Sequence, residues 1–143
     1  MSAEDNIKLV KALFEGINAH DEDRNDPFFA DDYVGYGTAR PGAATRQQVK
    51  VINQGFYNAF PDQHFDITFT LAQGDYVVTH WTATGTHTGP LPTPSGNTIP
   101  PTGKKATVMG SNTAEIKNGK ITRGWQFWDL ASLLGQLGLL PPL

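Results

Sequence analysis

The residues best suited to chemistry lie near the end of the chain, in Trp125-Gln126-Phe127-Trp128-Asp129-Leu130. A carboxylate set among aromatic side chains is costly to ionise, so its pKa rises toward the range in which it can take and give a proton at neutral pH. Asp129 is therefore a candidate general acid/base. The same residue type is also a favoured helix N-cap, and a helix beginning at Leu130 would need one. Both readings stay open on the residues alone. His80 and His87 come next, the second inside Gly85-Thr86-His87-Thr88-Gly89, where glycines let the backbone approach a neighbour closely. Either could orient Asp129 or polarise a substrate carbonyl. Their odd spacing places them on opposite faces of a regular strand, and His87 is the one expected at a pocket mouth. The alternative for each is a hydrogen-bonded structural histidine. His20 and His64 stand at element ends and read as solvated.

Other chemistries fail for want of parts. The chain has no cysteine, so disulfides, thiolate metal sites and a cysteine nucleophile are all excluded. There is no His-Glu-x-x-His, no Gly-x-Ser-x-Gly, no phosphate-cradling glycine loop and no dinucleotide fingerprint. His64 and Asp66 have a metal-compatible spacing, but two ligands do not make a site. The expectation is catalysis with neither cofactor nor metal. Eleven Lys and Arg spread among fourteen Asp and Glu give a net charge of −3 and no basic groove for nucleic acid. The acidic start lacks a secretory pattern and no apolar run spans a bilayer, which points to a cytoplasmic protein without membrane contact. Partners should be small molecules or a second copy.

The elements that must position these groups can be read from periodicity. Over 143 residues one domain is expected, residues 1–143. Ile7, Val10, Leu13, Phe14 and Ile17 recur at helical spacing behind Ser2, a candidate N-cap. Asp26-Pro27 suggests a helical turn, and Tyr33 to Gly37 a short strand. Val49, Ile52, Phe56 and Phe60 share the face of a second helix that opens near Thr45 and stops at Pro61. The period then changes to two: Phe65, Ile67, Phe69 and Leu71 alternate with polar residues, and Gly74-Asp75 turns the chain into Tyr76 to Gly85. Gly89 to Gly103 reads as a long loop, a rim or lid. Asn118-Gly119 supplies the two positive-φ residues of a tight hairpin between strands from about Lys105 to Ile116 and Ile121 to Asp129. Strict alternation from that turn puts Ile121, Trp125, Phe127 and Asp129 on the face shared by Ile116, Asn112, Gly110 and Val108. A cavity lined by Phe14, Phe56, Phe60, Trp125 and Phe127, with His80 and Asn112 as polar contacts, follows.

The ordered set Asn18-Ala19-His20-Asp21, Phe29-Ala30-Asp31-Asp32-Tyr33, Ala59-Phe60-Pro61-Asp62, Gly85-Thr86-His87-Thr88-Gly89, Pro101-Thr102-Gly103-Lys104, Gly119-Lys120-Ile121 and Gln136-Leu137-Gly138 resembles the SnoaL-like polyketide cyclases over almost the whole chain. The resemblance implies an α+β cone, a highly curved, mostly antiparallel sheet closed by about three helices around a cavity, as in nuclear transport factor two, usually in a homodimer. It also implies an acid/base Asp near the end of the last strand, matched by Asp129, acting in an intramolecular aldol closure of a polyketide ester. Two departures stand out: Asn112-Thr113-Ala114-Glu115 carries no histidine where those cyclases have one, and Arg123 stands where an acid is common. The chemistry expected is proton abstraction beside the carbonyl of a small apolar or polyketide-like molecule. Isomerase, dehydratase or hydrolase activity, or ligand binding without catalysis, are the alternatives on the same fold.

Overall fold

The computed structural model describes residues 2–37 and 40–140. Helix α1 (Ala3–Asn18) begins in a reciprocal capping box, with Asp5 N–H donating to Ser2 Oγ at 3.1 Å and Ser2 N–H to Asp5 Oδ2 at 3.2 Å. Its buried stripe of Val10, Leu13 and Phe14 faces the sheet. A short helix α2 (Glu22–Asn25) folds back against it, followed by a 3-10 turn (Asp26–Phe28) and strands β1 (Phe29–Gly37) and β2 (Arg40–Thr45). The closeness of α2 depends on Gly16: a Cβ there would lie 2.1 Å from Asn25 Oδ1, and the fully buried Asn25 donates to the Leu13 carbonyl at 3.1 Å. Helix α3 (Arg46–Ala59) opens in a second capping box, Thr45 with Gln48.

Strands β3 (His64–Gln73) and β4 (Tyr76–Thr86) form one hairpin; β7 (Lys105–Lys117) and β8 (Lys120–Trp128) form another, and helix α4 (Leu130–Gln136) is the last element. The six-stranded order is β2-β1-β8-β7-β4-β3, antiparallel throughout except for the β1–β8 pair. The sheet stays open, with β2 and β3 as its edges; the helices, not strand closure, complete the cone. Asn118 and Gly119 both take positive φ, 53° and 74°, as the hairpin reading requires. The expected loop after Gly89 contains a miniature hairpin, β5 (Leu91–Pro92) with β6 (Thr98–Ile99), whose Leu91 is buried beside Ala59 and Phe60. No helix among the described residues is long and apolar enough to cross a membrane.

Alternation fails at one residue in each main hairpin. Glu115 faces Arg123 while Ile116 faces Ile121, so Thr122 is an extra residue in β8. Likewise Ile67 faces Trp81 while Phe69 faces His80, which makes Thr68 the extra residue in β3. A bulge of this kind reverses which face every later side chain takes. Ile121 thus points into the core, whereas Trp125 and Phe127 point to the outer face, and Gln126 and Trp128 turn inward. Phe69 and Leu71 are carried outward in the same way. The expectation that Phe127 lines the cavity is corrected on this ground: it is 55% exposed on the opposite side of the sheet.

Candidate active site

Between α1, α3 and the inner face of the sheet lies a cavity of about 150 Å³, and beside it toward α4 a second of about 100 Å³. Ile52, Asn53, Gln63, Phe65 and Gln126 border both, so the two form lobes of one chamber with amide groups at the waist. Phe14 lines the first lobe; Phe56 and Phe60 line the second. These three aromatics stand where helical periodicity placed them. Trp125 reaches the edge of the first lobe, but its ring stacks on Tyr36 at 5.9 Å on the outer side.

Asn112 enters the first lobe from β7. Its orientation is fixed chemically: Trp81 Nε1–H lies 2.9 Å from Asn112 Oδ1, and an indole N–H can only donate, so the carbonyl end must face it. The amide nitrogen, a donor, is left to the cavity. Trp81 itself is 1% exposed, packed where Gly110 leaves room: a Cβ on Gly110 would come within 2.6 Å of the indole.

The other anticipated groups lie elsewhere. Asp129 is exposed and caps α4, its Oδ1 accepting from Ser132 N–H at 2.8 Å, and it borders neither lobe. The apolar enclosure that the general-base argument needs is absent at that position. His87 is fully buried rather than at a mouth. Its Nδ1 lies 3.0 Å from Thr102 Oγ1 and accepts from Thr102 N–H at 3.3 Å, and its ring stacks on Phe60. Burial pushes its imidazole pKa down, so it stays neutral. With backbone bonds from His87 to Lys104 and from Gly103 to His87, it pins the 89–103 loop to the end of β4, and that loop borders neither lobe. His80 sits on the outer face, stacked on Phe69 at 5.2 Å. His20, expected to be solvated, is half-buried, stacked on Tyr57 at 4.4 Å and bonded through Nε2 to the Gln63 carbonyl at 2.8 Å.

One polar cluster was not anticipated. Glu22, on α2, is a buried carboxylate that accepts from Tyr57 Oη at 2.6 Å, Asn53 Nδ2 at 2.9 Å and Arg46 Nη1 at 3.1 Å. All four residues line the first lobe, and Glu22 is the one acidic side chain that does so among the described residues. Burial, reinforced by the bond to Glu22, pushes the Tyr57 phenol pKa far up, and burial takes that of Tyr33, also in the lobe, to about 12. Both phenols remain protonated donors. The signal in the sequence was the spacing of Arg46, Asn53 and Tyr57, seven and then four residues apart on one face of α3. Nothing there announced that α2 would bring a carboxylate to meet them. No three His, Asp or Glu side chains converge as a metal site among the described residues.

The family pattern for SnoaL-like polyketide cyclase matches residues 7–137. The chain belongs to the SnoaL-like polyketide cyclase family. Its fold is that of AclR of Streptomyces galilaeus, a candidate hydroxylase, with a TM-score of 0.86 at 23% identity over 99% of this chain and 90% of that one. It is also that of a candidate SnoaL-like polyketide cyclase of Jannaschia sp. CCS1, with a TM-score of 0.84 at 20% identity over 98% and 95%. IdmH of Streptomyces antibioticus, a candidate polyketide cyclase, is similar over 93% and 98% of the two chains, at 24% identity and a TM-score of 0.78. No curated protein matches. Family membership and a two-lobed apolar chamber with inward amides agree with a cyclase-type protein for small molecules.

Proposed function

We propose that this SnoaL-like protein is a cofactor-free, cyclase-type enzyme that abstracts a proton beside a carbonyl of a small apolar, polyketide-like molecule held in the two lobes. Negative charge builds on the carbonyl oxygen as the proton leaves, and a donor fixed in advance at that oxygen stabilises the transition state more than the ground state. Asn112 is that donor, and the Trp81–Asn112 bond is the observation that carries the reading, because it costs no reorientation when charge develops. Ring closure, isomerisation or dehydration then follows from the substrate's shape. The protein works as a homodimer built on the outer sheet face. The decisive experiment titrates the protein with flat aromatic ketones and polyketide-like keto esters, following tryptophan fluorescence and then product formation. Quenching with turnover of at least one carbonyl compound is expected. Quenching without turnover across the panel would favour the second reading, a small-molecule binder of the same fold, which the capping role of Asp129 supports. No response at all would remove the ligand chamber.

A further inference from the structure

We propose that Glu22, not the carboxylate at the end of the last strand, is the base of this chamber, touching substrate from the α2 side of the first lobe. The assignment rests on the cyclase-type reading above. Three observations point to it. Glu22 is the only acidic side chain lining either lobe among the described residues. It is 7% exposed, so a ligand in the lobe replaces most of the water that could compete for its lone pairs. Its surroundings are built to keep a carboxylate in place: Arg46 and Asn53 both donate to Oε1, and Tyr57 alone donates to Oε2, leaving that oxygen an open lone pair.

A buried charge persists only when paired, and Arg46 supplies the pair. Each nitrogen of the guanidinium in turn has a partner. Nη2 donates to the Glu22 carbonyl oxygen at 2.8 Å, Nε lies 3.2 Å from Asp26 Oδ1, and the group stacks over Phe29. Arg46 therefore positions the carboxylate. Tyr57 is locked by its stack on His20.

In the aldol case the balance is internal. Oε2 takes the proton from the carbon next to the carbonyl, leaving an enolate whose oxygen meets the Asn112 amide. The enolate carbon bonds to a second carbonyl carbon of the same molecule. The resulting alkoxide takes the proton back from Glu22. Nothing is oxidised or reduced, and no co-reactant is consumed.

A test that does not wait for the natural substrate uses 5-nitrobenzisoxazole. A base removes its ring C–H proton, the N–O bond breaks, and a coloured cyanonitrophenolate leaves. Binding is read first by tryptophan quenching, then rate by absorbance. At neutral pH, Glu22→Gln should lower the rate at least 100-fold with binding kept, and Asp129→Asn should leave it within twofold. Tyr57→Phe keeps the carboxylate but deletes one bond to its charged form, so the acid limb of the pH–rate profile should move to higher pH. A purely structural role for Glu22 would leave that limb where it was. If Glu22→Gln does not fold, the Tyr57→Phe profile decides alone. An unchanged rate in Glu22→Gln, a large loss in Asp129→Asn, or an unmoved limb in Tyr57→Phe overturns the assignment. Binding without any rate above that of free carboxylate in solution overturns it while sparing the cavity. Absence of binding removes both.

Discussion

At the scale of single residues, Asp129 shows how one side chain type serves two jobs that sequence cannot separate. An aspartate between a strand and a helix satisfies a cap and an acid/base motif equally well on paper, and only its neighbours decide. Here Oδ1 meets Ser132 N–H, and the carboxylate lies in solvent. Asp129→Asn is expected to be nearly silent in both melting temperature and turnover, because asparagine caps about as well. Asp129→Ala should cost about 1 kcal/mol of stability, read as a lowered melting midpoint at unchanged activity. Large loss of turnover in the Asn variant, with the fold intact, would return Asp129 to the catalytic role. Asn112 invites the complementary substitution. Asn112→Asp keeps an oxygen for the Trp81 indole and so keeps the fold, but it replaces the donor facing the lobe with an acceptor. Turnover of a carbonyl compound should fall by about two to three orders of magnitude, the range for losing one oxyanion donor, with KM little changed. Equal activity would mean that Asn112 only anchors Trp81.

At the scale of elements, the helices were legible and the strand faces were not. Caps and helical spacing placed Phe14, Phe56 and Phe60 correctly because an α-helix has no cheap way to slip its period. A strand does: one extra residue, Thr122 or Thr68, reverses everything after it. Strict alternation therefore puts Phe127 on the wrong face and hides Gln126, which borders both lobes. Thr122 also shows what holds its bulge. Its hydroxyl donates to Glu115 Oε1 at 2.8 Å, and the same carboxylate takes two bonds from Arg123, at 3.0 and 2.9 Å, and one from Tyr76 Oη at 3.0 Å. Arg123, ahead of the Thr122 and Tyr76 bonds, holds the Glu115 carboxyl down to about 2. A carboxyl whose pKa is lower folded than unfolded stabilises the fold above its unfolded value and loses that contribution as pH falls through the folded one. Melting temperature should therefore drop between about pH 4.5 and pH 2. Glu115→Gln should lower it at neutral pH and flatten that acid limb. An acid limb of the same steepness in the variant would show that other carboxylates govern it.

At the scale of the whole molecule, the same two bulges help to set which apolar side chains the outer face of the sheet carries, Phe69 and Leu71 on β3 and Phe127 on β8. The resemblance implies a homodimer, and strand alternation alone would leave apolar residues such as Trp81 and Trp128 for an outer face to share. Both turn inward instead: Trp81 is buried, and Trp128 borders the second lobe and packs edge-on against Phe56. What lies outside is a different set, Phe69 and Leu71 on β3, Val78 on β4, Met109 on β7 and Phe127 on β8, with Leu71 and Met109 each 63% exposed. They spread over four adjacent strands on one face, interleaved with Ser111, His80 and Thr82, and monomeric soluble proteins seldom leave so many large apolar side chains bare on one face. Among the described residues no helix covers it, since α1, α3 and α4 pack on the inner face or at its ends. A second copy is the natural occupant because an apolar face can meet the same face of another copy about a twofold axis, and such isologous pairing needs about 800 Å² from each partner. Sedimentation velocity at micromolar concentration should give a dimer. Leu71→Glu and Phe127→Glu each place a charge on that face without touching the core or the lobes, so each should yield a folded monomer with an unchanged melting profile for the isolated subunit. Tryptophan quenching by a bound ketone should survive in both, because the chamber belongs to one chain. A wild-type protein that sediments as a monomer across that range, or a Phe127→Glu variant that remains dimeric, would show that this face is not where the copies meet.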